Sequence, residues 1–130
     1  MSTLKTRRPN PRQASLFIVL CVSRYCQARG KATTRFRFTV SNFKKLCGRQ
    51  RLRTEFILAL EEELLELGWA LVQTHNYYGV VRVEAVEKWA RIATKRVSDE
   101  LNNFAKGNLS RQRMRDLEEE VQDYLKQWDQ

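Results

Sequence analysis

Residues 34 to 40, TRFRFTV, change the hydrophobic period from 3.6 to 2, and they do so between two stretches whose pattern is helical. Phe36, Phe38 and Val40 point one way and Arg35, Arg37 and Thr39 the other, which predicts a short half-buried strand. A chain that interrupts its helices with so short a strand is directed to a mixed architecture, mainly α with a small antiparallel β-sheet (α+β).

Upstream, Ala14, Phe17, Ile18, Cys21, Val22 and Tyr25 follow i, i+3, i+4 spacing over residues 12 to 29. Leu16, Val19 and Leu20 widen the apolar face until it nearly surrounds the helix, so a central buried helix ending at Gly30 is expected. Downstream, Ser41 reads as the N-cap of a brief helix over residues 42 to 47, with Phe43, Leu46 and Cys47 inward and Lys44 and Lys45 outward. Gly48 stops it. A longer helix then runs from about Arg51 to Leu67 on the stripe Leu52, Phe56, Leu60 and Leu64, with Ile57 and Leu67 beside it and Gly68 at its end. Two β-prone runs, WALVQTH and VVRVEAV, flank NYYG and read as a hairpin whose tip, His75 to Gly79, carries two adjacent tyrosines.

The remainder is helical in pattern. Trp89, Ala93, Val97, Leu101 and Phe104 form a stripe over residues 87 to 106, and GN breaks it. Met114, Leu117, Val121, Tyr124 and Trp128 repeat at 3-4-3-4 spacing behind a Ser110 cap. Two heptads are too few for an independent coiled coil, so an antiparallel hairpin of these two helices is expected, with Trp128 docking on a further surface. The domain organisation is then a flexible basic arm over residues 1 to 11, a domain over 12 to 86 and a C-terminal helical extension over 87 to 130.

Charge is distributed unevenly. Residues 1 to 54 hold fourteen Lys or Arg and no Asp or Glu, and residues 55 to 130 hold ten basic and fifteen acidic residues, so a net charge of +9 divides into +14 and −5. Interspersed charges would serve solubility, whereas this asymmetry suggests a polyanion facing the N-terminal half, with nucleic acid first and an anionic membrane or acidic protein second. A hydrophobic content of 42% and a charged content of 30% fit a folded globular chain.

Other classes find little support. A single histidine, His75, and three cysteines, Cys21, Cys26 and Cys47, give no metal-site spacing, and the cysteines read as small apolar residues of a reducing compartment. No Ser/His/Asp or Cys/His set and no glycine-rich phosphate loop is present, so no catalysis and no cofactor is expected. SLFIVLCV, behind a basic N-terminus, is at the lower length limit of a signal peptide and far short of the roughly 20 residues needed to span a bilayer. A cytoplasmic, nucleoid-associated protein without a membrane partner is expected.

The order helix, short strand, short helix, turn, longer helix and hairpin, carried by Phe36, Phe38 and Val40, SNFKKLCG, RLRTEFILALEEELLELG and WALVQTHNYYGVVRVEAV, resembles the winged helix-turn-helix superfamily over residues 12 to 86. GRQRLR looks like small proteins of bacterial plasmids, phages or integrative elements. The resemblance implies that the second helix of the unit enters the DNA major groove by its N-terminus while the hairpin wing rests on the backbone. By its chemistry, Arg49, Gln50, Arg51, Arg53 and Thr54 are candidate readers of base edges, and Ser41, Lys44 and Lys45 candidate phosphate contacts. Asn76, Tyr77, Tyr78 and Arg82 are candidates at the wing, and Arg7, Arg8 and Arg12 for a minor groove. The function expected is that of a DNA-binding regulator of transcription or of mobile-element maintenance, a homodimer through residues 87 to 130. The alternative is a non-catalytic assembly module or inhibitor in a nucleic-acid-processing complex, binding RNA, single-stranded DNA or an acidic protein.

Overall fold

The structure, a computed structural model, describes residues 7 to 128. The first six positions of the expected arm lie outside the described residues. The chain divides into two compact units, Met1–Trp89 and Ala90–Gln130.

The first unit opens with α1, Pro11–Arg29. Asn10 caps it: its Oδ1 accepts from the Gln13 amide at 2.8 Å, and the Gln13 side chain accepts from the Asn10 amide at 3.0 Å. Pro11 at the first helical position loses nothing, because its missing N–H would have had no helical partner. Gly30, at φ 64°, ends the helix. Ala14, Ser15, Ile18 and Val22 are buried, with Val19 and Cys26 partly so. The expectation of a helix buried nearly all round is corrected: Leu16, Phe17, Leu20 and Tyr25 are all 42% or more exposed, so α1 covers one side of the core instead of passing through it.

Strand β1, Arg35–Thr39, leads directly into helix α2, Val40–Cys47. The cap is Thr39, whose hydroxyl accepts from the Asn42 amide at 3.2 Å, and not Ser41, which lies in the first turn. Val40 accordingly begins the helix instead of closing the strand. Helix α3, Thr54–Glu66, buries Phe56, Leu60 and Leu64 and starts three residues later than its sequence pattern suggests. Arg51 and Arg53 therefore lie in the approach to the helix, and Glu55 is the charged residue of its first turn, where a carboxylate suits the dipole.

Strands β2, Trp69–Gln73, and β3, Tyr77–Arg82, form the hairpin, and β3 also pairs antiparallel with β1, giving the order β1-β3-β2. The turn is shorter than expected. Thr74 and Tyr77 close it, the Thr74 amide donating to the Tyr77 carbonyl at 2.9 Å, and Tyr77 to Gly79 are strand residues. Beyond Arg82, which pairs with Trp69 at the start of β2, the Val83 amide still donates to the Gly68 carbonyl at 2.9 Å, and residues expected as strand instead form a single turn, α4, Val83–Val86. The core lies between this sheet and the three longer helices, and Phe43 stacks on Tyr78 within it, ring centroids 4.2 Å apart at 7°.

The second unit contains a 3-10 turn, Thr94–Val97, helix α5, Ser98–Ala105, and helix α6, Arg111–Lys126, capped by Ser110 as expected. The continuous helix expected over residues 87 to 106 is not formed. Its stripe is left exposed, Trp89 being 60% and Phe104 68% exposed, and a short helix without a buried face is marginal in water. Helices α5 and α6 do not pack along one another, so the antiparallel hairpin is corrected to two separate elements.

Candidate nucleic-acid interface

The link from α2 to α3 is built around Gly48 and Arg49. Gly48 has φ 63°, and a Cβ placed on it would come within 2.5 Å of Pro9 Cδ, so only glycine lets the N-terminal segment lie this close. Arg49 holds that segment: its Nη1 donates to the Pro9 carbonyl at 2.6 Å and to the Cys47 carbonyl at 3.0 Å. Its guanidinium carbon is 3.7 Å from the centre of the Phe56 ring, which lines the buried face of α3. A residue expected to read a base is thus engaged with the protein, and Pro9 of the expected flexible arm is fixed against the α2–α3 turn while Asn10 caps α1.

Two concave surfaces meet at this turn. One, of about 210 Å³, is lined by Arg8, Arg49, Gln50, Arg51, Arg53 and Phe56. The other, of about 610 Å³, is lined by Val40, Ser41, Lys44, Lys45, Gly48, Arg49 and Gln50. They share Arg49 and Gln50, and neither includes a carboxylate. Eight of the candidate residues therefore converge on one edge of the fold. Among the described residues no carboxylate lies within ion-pair distance of Arg8, Lys44, Lys45, Arg49, Arg51 or Arg53.

The other candidates are distributed elsewhere. Thr54 is exposed at the start of α3, next to this edge. Arg12 faces α3, 3.4 Å from Glu63 and 3.8 Å from Glu66, so its charge is met within the protein. Arg7 lies over the exposed apolar side of α1, with Leu16, Phe17 and Leu20. At the hairpin, Asn76 is exposed at the tip, and Tyr77 lies half-buried under the guanidinium of Arg37 at 4.6 Å. The pairing of Thr39 with Tyr77 puts that tip at the end of the sheet where α2 begins. Tyr78 is a core residue, 6% exposed, because strand alternation turns it onto Phe43; it has no free face for a ligand. Arg82 sits at the far end of β3 from the tip, over Trp69 and 3.1 Å from Glu84.

Electrostatics along α3 change abruptly after its start. The helix contains no Lys or Arg, and its outward face carries Glu55, Leu58, Glu62 and Leu65. A polyanion is attracted to the turn and repelled by the body of the helix. Beneath the turn, burial pushes the Cys47 thiol up to about 11, against a smaller opposing effect of the Arg49 charge. Cys47 is therefore neutral and inert at physiological pH, whereas Cys21 is exposed.

Sequence reasoning missed the pinning role of Arg49 and its supports Pro9, Gly48 and Phe56. The available signal was Asn10-Pro11, a cap followed by proline at the first helical position, which places the helix start, and with it Pro9, at the edge of the fold. Among the described residues no helix is long and apolar enough to cross a membrane, and no group of three His, Cys, Asp or Glu is placed to hold a metal ion. No family model, curated protein or solved structure matches the chain.

Proposed function

We propose that the first unit is a winged-helix module that binds duplex DNA through the edge formed by α2 and the α2–α3 turn, as a regulator acting on DNA in a bacterial or phage cytoplasm. The observation that carries the reading is the convergence of Arg8, Lys44, Lys45, Arg49, Arg51 and Arg53 around adjoining concave surfaces without a carboxylate among their linings. The element order and the strand order β1-β3-β2 support a winged helix, with the 74–76 turn as the wing tip. Duplex is favoured over single strands because the edge offers no exposed aromatic face for stacking: Phe56 is 8% exposed and lies under Arg49.

The mode of docking differs from a helix laid along the major groove. The acidic and apolar outer face of α3 confines contact to the helix entrance, where Gln50, Arg51 and Arg53 reach base edges or phosphates, while Lys44 and Lys45 follow the backbone. The exposed stripe of α6, with Met114, Val121 and Tyr124, and Trp128 just beyond the helix favour a second copy or a protein partner docking through residues 87 to 130.

Binding of the full chain to random-sequence duplex, measured over a salt series, tests the interface. Each phosphate neutralised contributes a slope of about −0.9 in log K against log salt, so Arg51→Ala with Arg53→Ala should flatten the slope by about 2. Unchanged duplex binding in that variant, together with loss of binding on removing residues 108 to 130, would refute the proposal.

A further inference from the structure

Four arginines, Arg8, Arg49, Arg51 and Arg53, line a space of about 210 Å³ together with Gln50 and Phe56. Four like charges this close repel one another, and among the described residues no carboxylate compensates any of them. Part of the cluster is fixed by the fold: the Pro9 and Cys47 carbonyls and the Phe56 ring hold Arg49 in place, and the same contacts hold the backbone next to Arg8. The space falls below the roughly 300–1,000 Å³ of clefts that enclose drug-sized ligands, so it suits one small anion and not a nucleoside.

From this geometry we infer a discrete phosphate subsite in the first unit, in which Arg8, Arg51 and Arg53 close over a single phosphate group and Gln50 donates to one of its oxygens. Arginine forks match the tetrahedral array of phosphate oxygens in a way that lysine does not, and the arginines are gathered in this pocket while Lys44 and Lys45 line the larger, neighbouring surface. The larger surface is then a backbone track, and the smaller pocket a point of capture at its end. The inference rests on the proposed nucleic-acid interface and assigns it one fixed contact, independent of base sequence. The phosphate is either an internal phosphodiester or the terminal monoester of a strand end, whose charge near −2 and third free oxygen would use the pocket more fully.

Titration of the isotopically labelled full chain with inorganic phosphate, against chloride at constant ionic strength, reads the subsite directly. Saturable chemical-shift changes confined to the backbone and guanidinium signals of Arg8 and residues 49 to 53 are expected, and Arg51→Gln with Arg53→Gln should weaken phosphate binding by about tenfold or more. The spectrum of the double variant, with the signals of the core unchanged, shows that it folds. Shifts that rise without saturation and spread over all basic residues alike would overturn the subsite; duplex binding that persists under that result would leave the interface standing without it. Saturable phosphate binding with no affinity for any nucleic acid would have the converse meaning, retaining the pocket and removing its proposed polymer. Duplexes with 5′-phosphate or 5′-hydroxyl ends then separate the two sources: a several-fold preference for the phosphorylated end assigns the terminal group, and equal affinity, with phosphate binding saturable, assigns the internal one.

Discussion

Replacing Arg49 tests whether this residue binds a ligand or holds the fold. In Arg49→Ala the Pro9 and Cys47 carbonyls lose their donor and Phe56 loses the guanidinium that covers it. Two hydrogen bonds from a charged donor to partly buried carbonyls contribute about 1 kcal/mol each after allowance for water. Stacking on the ring adds about 0.5–1 kcal/mol, for a loss of about 2–3 kcal/mol. In a unit of this size, that is a fall in Tm of about 10–20 °C. Arg49→Lys keeps the charge and the reach to one carbonyl but lacks the planar fork, so it should recover less than half of the loss. Urea unfolding followed by circular dichroism measures both variants. In a Phe56→Leu background the cost of Arg49→Ala should shrink by about 0.5–1 kcal/mol, since the stacking is already lost. A loss below about 0.5 kcal/mol in Arg49→Ala, which is the range of ordinary surface substitutions, would refute the pinning role and return Arg49 to the pool of free cations.

Two further perturbations test the same corner of the fold. Gly48→Ala should cost about 1–2 kcal/mol for the left-handed backbone and more for the contact with Pro9; Pro9→Ala in the same chain should recover the second part only, as urea unfolding of the three variants would show. The raised pKa of Cys47 makes stability sensitive to alkali. The folded state keeps the thiol protonated while the unfolded state releases its proton near 9.0, so the contribution is complete below pH 9 and is lost as pH rises towards about 11. The loss amounts to about 2–3 kcal/mol over that window, and Cys47→Ser, whose hydroxyl does not titrate there, should remove this part of the slope.

The elements of the first unit were legible wherever periodicity met a stop signal. Alternation in TRFRFTV, the glycines at 30, 48 and 68, and the Phe56, Leu60, Leu64 stripe each correspond to a boundary or buried face seen in the structure. Apolar content by itself was a poorer guide. It suggested that α1 is enclosed, but a sheet of three short strands is too small to wrap a helix, and Leu16, Phe17 and Leu20 remain outside. Tyr77 and Tyr78 were ambiguous because their sides depend on register, which is set by pairing with β1 and not by the local sequence. The basic edge was legible as a run of charge, whereas the engagement of Arg49 and Arg12 was not, since Pro9, Glu63 and Glu66 approach only in the folded chain. In residues 90 to 128 the stripes correctly mark α6 and part of α5, yet an amphipathic pattern states only that a helix has something to bury, not that the same chain supplies the partner.

The delayed start of α3 alters what its charges mean. With a helix beginning at Arg51, bases at the N-terminus and acids toward the C-terminus would both oppose the dipole. With the helix beginning at Thr54, the bases lie ahead of it, where they meet the amide ends but do not belong to the helix, and Glu55 opens it favourably. At the other end Glu63 and Glu66 are met by Arg12 of α1, which ties the two helices together where the dipole is least favourable. The residual unfavourable charges are Glu61 and Glu62, on the part of α3 that a polyanion at the turn would have to leave uncovered. On the proposed DNA-binding reading, the reversal of sign along residues 49 to 66 would act as a stop: a rod of negative charge would meet the turn and α2, but tilting it onto the body of α3 would bring it against carboxylates. A helix fully engaged in a groove would place that tilt at no disadvantage. Replacing Glu62 by lysine would bring that geometry closer without touching the turn, so under the proposed reading the orientation of docking can be altered separately from the contacts at the turn.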